Sequence, residues 1–138
     1  MFEFILNIIA AGSLYEILNY YSHRLLHIPV LYNNIHYVHH QYTVSNTGLS
    51  AFYVHPIEFC INTLCIYTPI YYYDINPYYM FSYYILSSIY THSKLNINGY
   101  HAYHHIYRTV NYGSFYIIDY IHNTHYNPII EKQSINKD

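Results

Sequence analysis

The sequence contains three short histidine motifs: HxxxH at His23-Arg24-Leu25-Leu26-His27, then HxxHH at His36-Tyr37-Val38-His39-His40 and again at His101-Ala102-Tyr103-His104-His105. Residues three and four positions apart lie on the same face of an α-helix. Each motif is therefore expected to direct its imidazoles toward one point. Imidazole nitrogen binds zinc, copper, iron and nickel well. Eight imidazoles are too many for one four-coordinate ion, so the motifs predict a site for two metal ions.

The histidine pattern is specific, because two HxxHH motifs together with HxxxH are far rarer than the composition of the chain explains. With twelve histidines in 138 residues, a single HxxHH arises by chance in roughly one shuffled sequence in ten. Motifs for other chemistries are absent from the sequence: it has no HExxH, ExxH, GxSxG, P-loop or GxGxxG. The predicted metal site is the one chemistry that the sequence offers.

The composition around these motifs is poor in charge. Hydrophobic residues make up 53% of the chain and charged residues 9%, with a net charge of −2, whereas soluble domains carry about 25% charged residues. A soluble monomer and a disordered chain are therefore both disfavoured. Binding to nucleic acid is also disfavoured, because the chain has five Lys and Arg residues to neutralise phosphates.

Long uncharged segments separate the histidine-rich ones. The first is Phe4–Tyr15, which continues to Tyr21, and two more, Phe59–Tyr73 and Tyr78–Tyr90, flank a turn-like stretch at residues 74–77. We expect the latter two to form a helical hairpin that dips into a bilayer, and the alternative is a pair of core helices in a soluble bundle. Pro56 marks the expected start of the first hairpin helix, just after His55. These features predict an all-α, membrane-embedded protein with one domain, residues 1–130, and a polar tail, residues 131–138.

The order and spacing of the motifs resemble the fatty acid hydroxylase/sterol desaturase superfamily. The resemblance rests on residues 21–27, Leu31-Tyr32 and residues 36–40. It continues through His55-Pro56-Ile57-Glu58, which is similar to the HPxE element of that family, to residues 101–105, Asn111-Tyr112-Gly113 and Asp119. It covers about residues 16–126.

The resemblance implies a set of metal ligands and a set of supporting residues. The implied ligands are His23, His27, His36, His39, His40, His92, His101, His104 and His105. A histidine ligand usually donates its other N–H to a fixed acceptor. Glu58, Asn111 and Asp119 are candidates for that role, and His55 is a further one. For Asp119 the alternatives are a helix cap and a pair with Arg108. His122 and His125 are possible extra ligands, although placement at the surface is the more common fate of such histidines.

The resemblance also implies a function. Members of the superfamily are integral membrane enzymes with two non-haem iron ions, which activate O₂ to hydroxylate or desaturate lipids, with electrons from cytochrome b5 and a reductase. A multi-pass protein of the endoplasmic reticulum, with its histidines and basic residues facing the cytoplasm, is therefore expected. Two alternatives remain open. One is an inactive relative that binds metal, such as zinc, and the other is a structural membrane protein that binds no metal.

Overall fold

The computed structural model describes residues 2–42, 48–93, 96 and 100–126. These ranges are mainly helical and contain no β-strand, so the predicted all-α class is confirmed. The predicted polar tail, residues 131–138, lies outside the described residues.

The first helix, α1, spans Phe2–Leu26. Its 25 residues give a length of roughly 37 Å at 1.5 Å per residue. The predicted segment from Phe4 to Tyr21 is confirmed and extends further, so that the last turn of α1 carries His23. The helix ends because Pro29 disfavours helical geometry at the preceding residue, and Ile28 is extended with φ −61° and ψ 134°.

A short helical segment follows and carries the second motif. It consists of α2 at Pro29–Leu31, a π-helical turn at Tyr32–His36 and α3 at Tyr37–His40. Wide π-turns inside helices often occur at functional sites, and this one ends on the first histidine of the motif. A 3₁₀ turn at Leu49–Phe52 comes later in the chain.

The predicted hairpin is confirmed as two helices, α4 at Pro56–Tyr73 and α5 at Pro77–Thr91. Both begin with proline, which is suited to the first position of a helix because its missing N–H needs no partner there. Asp74 ends α4 in the left-handed conformation with φ 48°. The side chain of Asn76 then caps α5 by accepting a hydrogen bond from the backbone N–H of Tyr78 at 3.0 Å. Two short helices complete the described chain, α6 at Tyr100–Tyr107 and α7 at Tyr116–Ile121.

The apolar core lies where α1, α4 and α5 meet. Its buried members are Ala11, Tyr15, Cys65, Ile66, Ile75 and Met80. The outer faces of the same helices are also apolar: Leu64 is 66% exposed and Leu86 67% exposed. Exposed apolar surface of this extent is typical of a surface that another apolar phase or a partner covers. By length and composition, α1 is the one described helix that could cross a membrane.

Candidate metal centre

Nine histidines converge in two adjacent groups at one end of the helices. Within each group, one nitrogen of every imidazole lies within 4.8 Å of the corresponding nitrogen of the others. The first group contains His23, His27, His36, His40 and His104, and the second group contains His39, His92, His101 and His105. The structure therefore brings together all eight motif histidines and the predicted ninth, His92. That they bind metal stays a prediction.

The two HxxHH motifs are each divided between the groups, contrary to the expectation that each motif points to one place. His36 and His40 belong to the first group, while His39 between them belongs to the second. The later motif has the reverse arrangement, with His101 and His105 in the second group and His104 in the first. The physical reason is that positions i and i+4 align more closely on a helix than position i+3, which is rotated toward the neighbouring group.

The Nε2 atoms approach one another at the distance expected of ligands that share an ion. Nε2 of His36 lies 3.0 Å from Nε2 of His23 and 3.1 Å from Nε2 of His40. In the second group, Nε2 of His92 lies 3.1 Å from Nε2 of His39. Two nitrogens at right angles on one ion, with bonds of about 2.1 Å, are separated by roughly 3 Å. The spacing of these nitrogens therefore fits a shared ion.

The opposite nitrogens fix which atom of each ring faces the centre. Nδ1 of His23 donates to the backbone carbonyl of Tyr112 at 2.6 Å, and Nδ1 of His104 donates to that of Val110 at 2.7 Å. Carbonyl oxygens only accept, so in a neutral ring each Nε2 is left with a lone pair. His36 also keeps a lone pair on its Nε2 when Glu58 is ionised, because its Nδ1 then donates to Oε1 of Glu58 at 2.9 Å. Lone pairs that face one another in this way form an arrangement that a bound cation would satisfy.

The second group also contains nitrogens without a partner. His101 Nε2 and both ring nitrogens of His105 are buried and make no hydrogen bond within the described part of the chain. A buried polar atom that lacks a hydrogen bond is costly. A bound ion would remove this cost for the Nε2 atoms. The donor set and its orphaned atoms therefore fit a pair of metal ions bound by imidazoles.

The electrostatics of the site keep the imidazoles neutral, which is the form that binds metal. Burial, followed by the nearby His23, lowers the pKa of His27 from 6.5 to about 2. Burial, followed by His105, lowers the pKa of His40 to about 2. Burial and the neighbouring His92 lower the pKa of His105 to about 3.

Of the predicted supporting residues, Glu58 contacts a histidine of the site directly. It is 3% exposed and pairs with His36, which is 1% exposed. Carboxylate–histidine pairs of this kind orient metal ligands and raise their basicity.

Asp119 supports the site through the backbone instead. Its carboxylate accepts hydrogen bonds from Tyr112 N at 2.9 Å, Gly113 N at 2.7 Å and Thr124 Oγ1 at 2.7 Å. It thereby holds the loop whose Tyr112 carbonyl contacts His23. The described residues show no ion pair between Asp119 and Arg108, so that alternative is wrong.

Within the described residues, the hydrogen bonds of Asn111 go to the backbone around its own loop rather than to a histidine, so its supporting role stays a prediction. Its amide donates to the carbonyls of Tyr100 and Tyr126 and accepts from Tyr126 N at 2.7 Å. Asn111 adopts φ 57°, which asparagine tolerates well, and it fastens the loop after α6.

Three further predicted histidines lie outside both groups. His55 caps α4, because its Nδ1 accepts a hydrogen bond from Ile57 N at 3.2 Å, and its supporting role stays a prediction. His122 lies 2.8 Å from the Tyr21 hydroxyl, and His125 packs near the ring of Tyr116. The expected placement of His122 and His125 away from the metal site agrees with these contacts.

Sequence reasoning missed the carbonyl acceptors and one aromatic residue. The carbonyls of Ser88, Val110 and Tyr112 accept hydrogen bonds from histidine Nδ1 atoms. The Tyr112 ring packs with its centroid 5.2 Å from that of His27. Backbone carbonyls leave no mark in a sequence, and the chain has too many tyrosines for one to stand out.

Comparisons with known proteins agree with this geometry. The family model described as "Fatty acid hydroxylase" matches residues 8–124. The human protein "Fatty acid hydroxylase domain-containing protein 2" is 29% identical over 136 residues, covering 88% of this chain and 39% of that protein. "C-4 methylsterol oxidase erg25" of Schizosaccharomyces pombe is 50% identical over 40 residues, or 29% of this chain and 13% of that protein.

A plant relative, "Methylsterol monooxygenase 2-1" of Arabidopsis thaliana, is 49% identical over 39 residues, which is 28% of this chain and 14% of that protein. This chain therefore spans less than two fifths of the length of these curated relatives. No solved structure matches it significantly. Since the family match covers most of the sequence, the chain belongs to the fatty acid hydroxylase family.

Proposed function

We propose that this chain is a membrane-bound, O₂-dependent di-iron oxidoreductase that hydroxylates or desaturates a lipid, either a sterol or a fatty acyl chain. The proposal treats residues 1–130 as one catalytic domain. One observation carries it: imidazole nitrogens face each other in two adjacent groups, with Nε2 atoms 3.0 to 3.1 Å apart. The family match and the methylsterol oxygenase names of two relatives support a lipid as the substrate.

The residues of the chain would hold one ion in each group. The first ion would be bound by His23, His27, His36, His40 and His104, and the second by His39, His92, His101 and His105. When bound, two iron ions would supply O₂ activation and the oxidising power to remove hydrogen from an unactivated C–H bond. An iron site with all-imidazole ligands agrees with the affinity of imidazole nitrogen for iron.

The surrounding residues orient the ligands and exclude water. The Nδ1 contacts of His23, His36, His92 and His104 fix these rings, because each would have to lose a hydrogen bond of 2.6 to 3.0 Å to rotate. His104 is 0% exposed. A buried, preorganised site of this kind protects reactive oxygen chemistry from side reactions.

A membrane location follows from the same proposal. The length and composition of α1, together with the exposed apolar faces of α4 and α5, support a bilayer environment. The histidines would then lie at the polar end of the helices, since buried polar groups are costly at the bilayer centre. We propose the cytoplasmic face of the endoplasmic reticulum or an equivalent membrane, where cytochrome b5 and a reductase could supply electrons.

The test compares lipids and metals in parallel. Wild-type protein, His39→Ala and the matched control His125→Ala are expressed in one host, and the membrane lipids are profiled. We expect new lipids that have gained oxygen or lost two hydrogens with wild type and His125→Ala, and none with His39→Ala. Stoichiometric zinc without O₂ consumption, under an electron supply, would instead indicate a metal-binding relative without turnover.

A further inference from the structure

A small cavity lies against both histidine groups. Its volume is about 60 Å³, and its wall includes His23 and His36 of the first group and His39, His92 and His101 of the second. Two larger grooves in the described residues, of about 570 and 580 Å³, include no histidine of either group. A substrate atom in this cavity would lie next to the proposed metal ions.

Part of the wall of this cavity is polar rather than hydrocarbon-like. Asn19 from α1, Asn62 from α4 and Ser114 from the loop before α7 line it. The Asn19 amide lies 3.3 Å from the Ser114 hydroxyl and donates to it. Asn62 lies one helical turn after Glu58, on the same face of α4. The half-buried Asn62 amide has no hydrogen-bond partner within the described part of the chain.

The cavity is too small for a whole lipid. A single water needs about 10–15 Å³ of such volume, so 60 Å³ accommodates only a few non-hydrogen atoms. A groove of about 570 Å³ adjoins it between α5 and α7 and shares Thr91 and Ser114 with it. The side chains that line this groove are mostly aromatic or aliphatic, including Leu86, Tyr90 and Phe115. Its size and chemistry suit a hydrocarbon chain or ring system.

We propose that Asn62, together with the Asn19–Ser114 pair, forms a binding subsite for the polar end of the lipid, while its hydrocarbon part lies in the groove between α5 and α7. The inference deepens the proposed function and rests on it. The group bound is one that exchanges hydrogen bonds with an amide, namely a hydroxyl, a carbonyl or an amide of the lipid. Oxidation then occurs close to that group and not in the middle of an alkyl chain.

Hydrogen bonding at Asn62 determines the expected selectivity of the subsite. A site that presents an unpaired amide binds a partner with a hydroxyl better than the matching alkane, because the alkane leaves the amide unpaired. Replacing Asn62 by leucine removes this difference at nearly constant volume. We expect about tenfold weaker binding of the polar ligand, the effect of losing one neutral hydrogen bond.

A binding assay tests the subsite without turnover. Detergent-purified full-length protein is titrated with hexadecanol or hexadecane, and binding is measured by the rise in the thermal unfolding midpoint. Wild type and the matched control Asn7→Leu are expected to respond to hexadecanol at lower concentration than to hexadecane. Asn62→Leu is expected to lose the preference, and Asn62→Ala gives the same test if the leucine variant does not fold. Equal responses to both ligands in wild type, or a preference retained without Asn62, would overturn the inference.

The position of oxidation is the second readout. Tandem mass spectrometry locates the change in each new lipid from the host that expresses wild type. Oxidation beside a hydroxyl, carbonyl or amide agrees with the subsite, and oxidation in the middle of a chain overturns it. Absence of any oxidised lipid counts against the proposed function, while the binding assay still decides the subsite, so the two failures are distinguishable.

Discussion

Removal of the Glu58 side chain should weaken metal binding in the first histidine group and leave the second unchanged. The carboxylate of Glu58 lies 2.9 Å from Nδ1 of His36, and both side chains are almost fully buried. In Glu58→Ala, the Nδ1–H of His36 loses the carboxylate that accepts its hydrogen bond. In Glu58→Gln, a carbonyl oxygen can still accept the hydrogen bond, but the negative charge is lost.

The size of the effect follows from the energetics of one buried hydrogen bond. A buried donor left without a partner costs about 1–3 kcal/mol. Since about 1.4 kcal/mol corresponds to a tenfold change, Glu58→Ala should lower metal affinity roughly 10- to 100-fold, as is typical for partners of metal-bound histidines. Glu58→Gln should have a smaller effect, because hydrogen bonds to charged groups are about twice as strong as neutral ones.

The assay is graded removal of metal by a chelator, followed by elemental analysis of the protein. Glu58→Ala should lose one ion per chain at a chelator concentration that leaves both ions in wild type. Glu3→Ala is the matched control, because Glu3 is an exposed glutamate in the first turn of α1. Helical circular dichroism verifies the fold of each variant. Identical metal retention in Glu58→Ala and wild type would refute the reasoning, as would equal loss from both sites.

Four further predictions concern the metal ligands, the supporting loop, a tight contact and pH. His104→Ala should abolish lipid oxidation and lower the metal content, measured by lipid profiling and elemental analysis, and unchanged turnover would count heavily against the proposed site. Asp119→Asn should destabilise the protein by roughly 2 kcal/mol, because its carboxylate accepts three hydrogen bonds; an unaltered unfolding midpoint would contradict this. Gly48→Ala should destabilise the protein by more than about 1 kcal/mol, because Gly48 has φ +68° and an added Cβ would clash with the carbonyl of Ile89. Thermal unfolding measures the stability of the variant. A variant as stable as wild type would show that the contact is not tight. The metal-free protein should lose stability as pH falls below 6.5. The pKa of His40 is about 2 in the folded chain, so the imidazole takes up a proton at higher pH in the unfolded chain than in the folded chain. A thermal unfolding midpoint that does not change with pH below 6.5 would contradict this prediction.

Proline and turn residues in the sequence predicted where helices begin and end. Pro56 at a helix start and the turn-like stretch at residues 74–77 predicted the hairpin of α4 and α5, which the structure confirms. The π-helical turn at Tyr32–His36 could not be predicted, because a wide turn depends on packing and on the position that His36 must reach.

The composition of the candidate site was predictable, but its internal arrangement was not. Motif spacing predicted that eight histidines meet, the family resemblance added His92, and all nine do meet. The division of each HxxHH motif between two groups depends on how α3 and α6 face each other, which spacing along one helix does not determine. The contacts of Asn111 and His55 could not be predicted, because a polar residue near a motif can equally fasten a loop or cap a helix.

The most direct test of the central claim is the metal content and ligand environment of detergent-purified protein. Elemental analysis gives the number and identity of the ions, and X-ray absorption spectroscopy gives the atoms that surround them. We expect two iron ions per chain, each surrounded by imidazole nitrogens. Protein that folds, passes through purification and binds no stoichiometric metal, or whose metal is bound by ligands other than imidazole, would contradict it.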